Sequence, residues 1–253
     1  MNSFYSGLLG DVFVQQTSGR QFGEDRIFRR VVLSAYADVA AMPALELGCG
    51  YGRLLIELVQ DGIKVEGIDL SSEMVDACRA GLVERGLDAP VHLGEFAPLS
   101  PGLRSYASMY CPLNSFSLIA DDDAASEALR SFRSHLEPGG VVALSASGRC
   151  EDHGSMSMSL RHTLTLDSGP RRGFQVRVFE ARARCRCGQH VQVRRRADSL
   201  APIADAEWRK GEIETQLRRV WQPEDLAASL RRAGFGEIRM IGGAGDYVMV
   251  GAA

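Results

Sequence analysis

Glu46-Leu47-Gly48-Cys49-Gly50-Tyr51-Gly52-Arg53 closes a short apolar run that begins at Ala44 and opens onto Leu54, Leu55, Ile56, Leu58 and Val59. The spacing predicts a buried strand, a glycine turn and a helix in immediate succession. A turn without Cβ atoms lets the backbone approach a ligand closely. The helix that follows aims its unpaired N–H groups at the same place. Asp69 falls near the end of a second apolar run, 64–70, and lies 21 residues after Gly48. At that point of a strand–turn–helix–strand unit, an acid accepts hydrogen bonds from ribose hydroxyls. The glycines read G-x-G-x-G, and Arg53 stands where a dinucleotide fingerprint places its last glycine. Such a pattern suits a nucleoside carrying an amino acid better than a pyrophosphate.

Outward from the turn, strand and helix signals alternate over 43–147. Ser71 or Ser72 caps the helix after the second strand, because a hydroxyl there accepts from first-turn N–H groups. Residues 90–96 and 105–111 read as the third and fourth strands. The stretch 121–136 reads as a helix with an acidic first turn, broken by Glu137-Pro138-Gly139-Gly140 before a fifth strand over 141–145. This alternation predicts βαβ units and a parallel sheet. Residues 1–42 read as mostly helical, with Ile27, Val31, Val32 and Tyr36 on one face and Pro43 as the stop. After 147 the alternation ends, and 155–198 take on period-two character, as in Val176, Val178, Val191 and Val193. A helix returns at Pro223–Ala233, with proline suited to its first turn, and short strands at 237–241 and 247–250 follow.

These motifs in combination resemble the core of the class I S-adenosylmethionine-dependent methyltransferases over residues 44–147. Glu46 to Arg53 resembles the first motif of that family, and Gly67-Ile68-Asp69-Leu70-Ser71 the second. Gly94-Glu95-Phe96 resembles the segment whose acid contacts the adenine amino group, and Leu136 to Gly140 the turn before the fifth strand. The resemblance implies a doubly wound, Rossmann-like α/β fold with a seven-stranded sheet and an antiparallel β insertion acting as a lid. It divides the chain into N-terminal helices and cofactor core (1–147), the strand-rich insertion over the acceptor (148–220) and a final helix and hairpin (221–253). The implied cofactor is S-adenosylmethionine. Glu46, Gly48, Cys49, Gly50 and Gly52 would lie along its methionine part, Asp69 would hold the ribose, and Leu70 and Met74 would lie against the adenine. Glu95 and Phe96 would bracket the adenine and its amino group. Tyr5 and Arg20 belong to an N-terminal stretch that folds over the cofactor in this family, and Tyr110 ends the fourth strand beside it.

In that family the acceptor meets the end of the fourth strand and the segment after the fifth, here Tyr110 to Phe116 and Ser147 to Ser159. Pro112-Leu113-Asn114-Ser115-Phe116 resembles the variant of bacterial small-molecule methyltransferases and departs from the pattern of enzymes acting on nucleic acid. The insertion bears a weaker resemblance to that of aminosugar N,N-dimethyltransferases. Their general-base histidine falls at Ser117 here, so that role does not carry over. His153 and Tyr110 are the leading candidates for a catalytic base, with His162 and Tyr5 behind them.

Residues 160–196 hold ten arginines against Asp167 and Glu180, a net charge of +8. Such a segment forms a strand pair with arginine stems lying over a polar face. Alternatively, a few arginines recognise an anionic acceptor. Cys185-x-Cys187-x-x-His190 lacks the second ligand pair zinc requires, and Gly188 between two strand-like runs predicts a hairpin turn instead of a metal site.

The whole chain sets outer bounds. Its 253 residues carry 45% hydrophobic and 24% charged residues and a net charge of -3, the balance of a soluble globular protein without a general affinity for nucleic acid. Six scattered cysteines form no disulfide framework and predict a reducing compartment. Residues 1–16 lack a basic leader, and no apolar run approaches the roughly 20 residues of a membrane span. The expectation is a cytoplasmic methyltransferase, monomer or homodimer, acting on nitrogen or oxygen of a small metabolite. A nucleic-acid methyltransferase using the basic insertion and a non-catalytic nucleotide-binding protein are the alternatives.

Overall fold

A computed structural model describes residues 5–38, 42–100, 103–149, 155–185, 188–243 and 245–253. The chain forms two compact units, one of residues 21–149 and 219–253 and a smaller one of residues 1–20 and 150–218.

The larger unit is built on β1 (Ala44–Leu47), β2 (Val65–Asp69), β3 (Val91–Leu93), β4 (Tyr106–Cys111), β5 (Leu136–Ser147), β10 (Ile238–Gly242) and β11 (Asp246–Ala252). They form one seven-stranded sheet in the order β3-β2-β1-β4-β5-β11-β10. The pairs among β1 to β5 are parallel, and β11 runs antiparallel to both β5 and β10. Side chains alternate across β1 because successive Cβ atoms point to opposite faces. Leu45 and Leu47 join a core with Phe116, Phe132 and Trp221, under α5 (Asp122–Ser134) and α6 (Pro223–Arg232). On the other face Ala44 and Tyr110 pack with Phe28 of α2 (Asp25–Asp38), Leu54 and Leu58 of α3 (Arg53–Gln60) and Cys78 and Leu82 of α4 (Ser72–Glu84). The result is the doubly wound α/β layer structure expected from the sequence.

Two local expectations are settled by backbone detail. Ser71 caps α4, its hydroxyl accepting from the Met74 N–H at 3.3 Å. The Glu137-Pro138-Gly139-Gly140 stretch, read as a break before the fifth strand, instead lies inside β5. The register against β4 jumps from Tyr106↔Leu136 to Ser108↔Val141, so these residues bulge out of the pairing without ending the strand.

The smaller unit joins α1 (Gly7–Thr17) to an antiparallel sheet of β6 (Ser155–Thr165), β7 (Gln175–Arg184), β8 (His190–Leu200) and β9 (Glu214–Arg219), in that order. Leu9 and Val12 of α1 pack with Val176 and Val178 of β7 and Val193 of β8. Gln15 fastens the helix to the sheet edge, donating to the Thr165 carbonyl at 2.7 Å and accepting from the Asp167 N–H at 2.9 Å. Residues 5–20, placed on sequence with the cofactor core, cluster with the strand-rich insertion. Gly188, at φ +74°, turns β7 into β8, with the Cys185 N–H donating to the His190 carbonyl. Cys187 lies outside the described residues. Among those described, Cys49, Cys78, Cys111 and Cys185 are free thiols, and no helix is long and apolar enough to cross a membrane.

Candidate active site

The C-terminal ends of β1 and β2 are tied together before any ligand is considered. Gly48 and Cys49 both donate to the Ile68 carbonyl, at 2.8 and 3.0 Å. Asp69 then grips the turn from the side: its Oδ2 accepts from the Gly50 N–H at 2.8 Å and its Oδ1 from the Ser71 N–H at 2.9 Å. A carboxylate offers about four lone-pair positions, so Asp69 keeps capacity for a further donor. Burial raises the Asp69 pKa, while the N–H groups of Ser71, Gly50 and Leu70 favour the charged form. At Gly50, with φ +56°, an added Cβ would meet no atom within 4 Å, so the turn opens onto free space where a ligand backbone can lie. Leu70 beside it is 51% exposed, an apolar side chain at the rim of that space. Phe96 and Ser115 approach Gly48, within 3.5 and 3.4 Å of where its Cβ would stand.

The structure thus brings Glu46, Gly48, Cys49, Gly50, Gly52, Asp69, Leu70 and Phe96 to one edge of the sheet. Met74 is buried in the first turn of α4 and Glu95 is exposed after β3. Tyr5 and Arg20 fall in the smaller unit, where the Tyr5 ring packs edge-on against Phe13 and its hydroxyl accepts from Arg218 at 3.4 Å. His153 lies outside the described residues. Ser117 is fully buried in the short 3-10 turn Ser115–Leu118.

Tyr110 corrects the sequence reading. Its ring is fully buried against Phe28 and its hydroxyl donates to Glu46 Oε2 at 2.9 Å. Burial, then the neighbouring Glu46 charge, raise the phenol pKa. A phenol so enclosed has no route to an acceptor, so Tyr110 is a fixed partner of Glu46 and not a base. Burial also pushes the Glu46 carboxyl up to about 8, against the Tyr110 hydrogen bond and Arg53, which favour its charge. Between its ordinary value and about 8 the folded chain holds a proton that the unfolded chain has released. Stability therefore falls as pH rises through that window, by at most about 1.4 kcal/mol per unit, and levels off above it. Glu46→Gln keeps an acceptor for Tyr110 and removes the titration. Urea midpoints from about pH 5.5 to 8.5 should fall less steeply for the variant than for the wild type, and equal slopes would refute the buried-acid reading.

Sequence reasoning missed the residues that frame the turn from α2. Arg53 forks onto Asp25 at 2.6 and 2.9 Å and lies over the Phe22 ring at 4.7 Å. Next to that fork, Glu24 Oε1 accepts from the Leu113 N–H at 2.6 Å. Ser145 Oγ accepts from the Asn114 N–H at 2.6 Å and is itself hydrogen-bonded to Glu24. Leu113 and Asn114 both adopt positive φ, +53° and +59°. Two consecutive non-glycine residues in that conformation are strained and persist only when surrounding contacts impose it. No local pattern announces Glu24, since its partners lie some 90 and 120 residues away in sequence.

In the smaller unit the structure sorts the arginines. Arg177 lies over the Trp208 ring at 3.9 Å and Arg196 over Phe179 at 4.4 Å, while Arg171 pairs with Asp11. Arg161, Arg182 and Arg195 instead line a cavity of about 300 Å³ with His162, Glu180 and the apolar face of α1. Arg182 and Arg195 reach Glu180 at 2.8 and 2.7 Å. Burial opposes ionisation of Glu180, but Arg195 and Arg182 outweigh it and hold the carboxyl below its ordinary range.

Comparison with known proteins bears on the cofactor core and the fold. Residues 44–140 match the family model described as a methyltransferase domain. A dTDP-3-amino-3,6-dideoxy-α-D-glucopyranose N,N-dimethyltransferase of Streptomyces fradiae is 28% identical over 142 residues, 55% of this chain and 53% of that protein. The chain thus spans about half the length of the curated relatives it matches. The solved structure of a sugar N-methyltransferase of a Streptoalloteichus species superposes with a TM-score of 0.71 at 22% identity, covering 98% of this chain and 93% of that one. That of a SAM-bound amino pentose methyltransferase of Micromonospora echinaspora gives 0.67 at 20% identity, covering 95% and 96%. At those identities the two structures speak for the fold.

Proposed function

We propose, from the premise that residues 44–140 form a class I methyltransferase domain, that this protein transfers a methyl group from S-adenosylmethionine to an amino nitrogen of a nucleotide-linked sugar. The observation that carries the reading is the glycine turn gripped by the Asp69 carboxylate at the end of a parallel sheet. Open space at Gly50 fits the methionine part of the cofactor, the remaining lone-pair capacity of Asp69 fits a ribose hydroxyl, and Leu70 and Phe96 offer apolar surface for the adenine. When bound, the cofactor supplies an activated methyl group on a positively charged sulfur. The protein's own task is to align the acceptor nitrogen with that group and exclude water, worth about 7–11 kcal/mol when the alignment is good. The nitrogen and the sugar are suggested by the relatives that match the cofactor core.

Acceptor recognition is assigned to the smaller unit. Arg161, Arg182 and Arg195 set three positive charges against one carboxylate around its cavity, which suits a phosphate-bearing acceptor. The test is incubation with S-adenosylmethionine and dTDP-3-amino-3,6-dideoxyglucose, followed by mass detection of a methylated product. Arg161→Gln and Arg182→Gln are expected to raise the acceptor KM about tenfold each while leaving the cofactor Kd unchanged. An unmodified sugar in the presence of bound cofactor sinks the acceptor assignment. An unchanged KM in both variants removes the cavity from it.

A further inference from the structure

The strained turn after β4 has a carboxylate built into it that the established motifs do not use. We propose that Glu24 is the acceptor-side carboxylate that takes the proton from the incoming ammonium. The proposal rests on the amine-methylation reading above.

Four observations converge on it. The Glu24 side chain reaches the loop after β4, where the Leu113 N–H at 2.6 Å and the Ser145 hydroxyl hold it. Those two donors leave about two of its lone-pair positions open, and the residue is not fully buried. Ser115, two residues along that loop, packs against Gly48 of the cofactor turn, which puts Glu24 on the methyl-donor side of the sheet edge. The adjoining Asp25–Arg53 fork, 10 to 12% exposed, fixes the start of α2 against the turn. The charged and titratable groups facing Glu24 are Asp25 next to it in the chain, Arg53 on α3 and Cys111 on β4. Burial raises its pKa, which brings the carboxylate closer to the basicity of an amine and makes proton transfer less uphill.

The step balances without further reagents. An alkylammonium acceptor gives one proton to the Glu24 carboxylate and regains its lone pair. That pair forms the N–C bond as the methyl carbon's bond to sulfur breaks, and the departing electron pair stays on sulfur. The positive charge then resides on the methylated ammonium, and Glu24 returns its proton to solvent.

Glu24→Gln separates this role from a structural one, because the amide oxygen still accepts from Leu113 and Ser145 while the basic site is gone. With dTDP-3-amino-3,6-dideoxyglucose as acceptor, the variant should bind S-adenosylmethionine within about twofold of the wild type and lose about 100-fold in kcat/KM near pH 7. Its kcat/KM should then climb about tenfold per pH unit toward the pKa of the free amine, where the acceptor arrives already deprotonated. The wild type should lack that climb. A variant as active as the wild type, or one that is slower with the wild-type pH profile, overturns the role of Glu24. A wild type that binds cofactor and methylates no amine overturns the functional reading and this role with it.

Discussion

On the proposed reading that Asp69 holds the cofactor ribose, Asp69→Ala is expected to weaken S-adenosylmethionine binding by about 100-fold, since a hydrogen bond to a charged acceptor contributes about 1.5–3 kcal/mol. A second loss adds to the first. Asp69 also accepts from the Gly50 and Ser71 N–H groups, so its removal loosens the turn on which the cofactor lies. Asp69→Asn keeps the volume but turns one oxygen into a donor facing a backbone N–H, and it should bind almost as poorly. Because burial raises the Asp69 pKa, acidification protonates it in the folded protein sooner than in the unfolded chain. Cofactor affinity should therefore decline as pH falls through that raised value, and the decline should vanish in the asparagine variant. Calorimetric titration with S-adenosylmethionine and with its demethylated product measures all of this. An affinity for Asp69→Ala within threefold of wild type would place the ribose elsewhere.

Gly52→Ala is the second large effect, and it should appear in folding as well as binding. Gly52 enters α3 at φ +84°, where a side chain costs about 1–2 kcal/mol. Its Cβ would also stand 2.5 Å from the sulfur of Cys78 and 3.0 Å from Ile56. Cys78, on α4, is fully buried, and overpacking of this kind costs about 1–3 kcal/mol more. A total near 3 kcal/mol is a large part of a typical domain's stability of roughly 5–15 kcal/mol. Gly50→Ala is the control. It meets the same positive φ with open space around it, so only the conformational part should be lost. Adding Cys78→Ala to Gly52→Ala should restore the packing part, and denaturant midpoints of the wild type, Gly52→Ala, Cys78→Ala and the double variant measure the coupling. Additive losses in the double variant would show that the sulfur is not what the methyl group meets.

What the sequence disclosed and what it hid follow from the range of the forces involved. Gly48, Gly50, Gly52 and Asp69 were legible because a strand, a turn and a helix N-terminus are local, and their glycines mark backbone conformations few other residues adopt. The sheet was legible too, since β1, β2 and β4 are short apolar runs bounded by turn residues. Tyr110 misled because strand position fixes which face a side chain takes but not whether solvent reaches it. Its neighbours there, Glu46 and Phe28, come from elements far along the chain. Glu24 and the Asp25–Arg53 fork were invisible for the same reason. β9 passed without notice because Glu214-Thr215-Gln216-Leu217-Arg218-Arg219 has almost no apolar alternation to read. The glycines at 139 and 140 were taken for a stop because their signature marks any break in pairing, and a bulge inside a strand satisfies it equally well.

The chain's path through its two units also sets an order of assembly during synthesis. It starts in the smaller unit, leaves at residue 20, returns at 150 and departs again at 218. Helix α1 has 11 residues, fewer than the roughly 12–15 that an isolated helix needs in water. Its apolar face has no partner until the strands that begin at Ser155 have been made. The parallel sheet waits as well, because β11, which pairs along seven residues of β5, comes last. Neither unit can close on its earlier segment alone: the smaller waits for the strands that begin at Ser155, the larger for β11. Until its later segment has been made, each unit's earlier segment holds apolar surface with nothing to pack against.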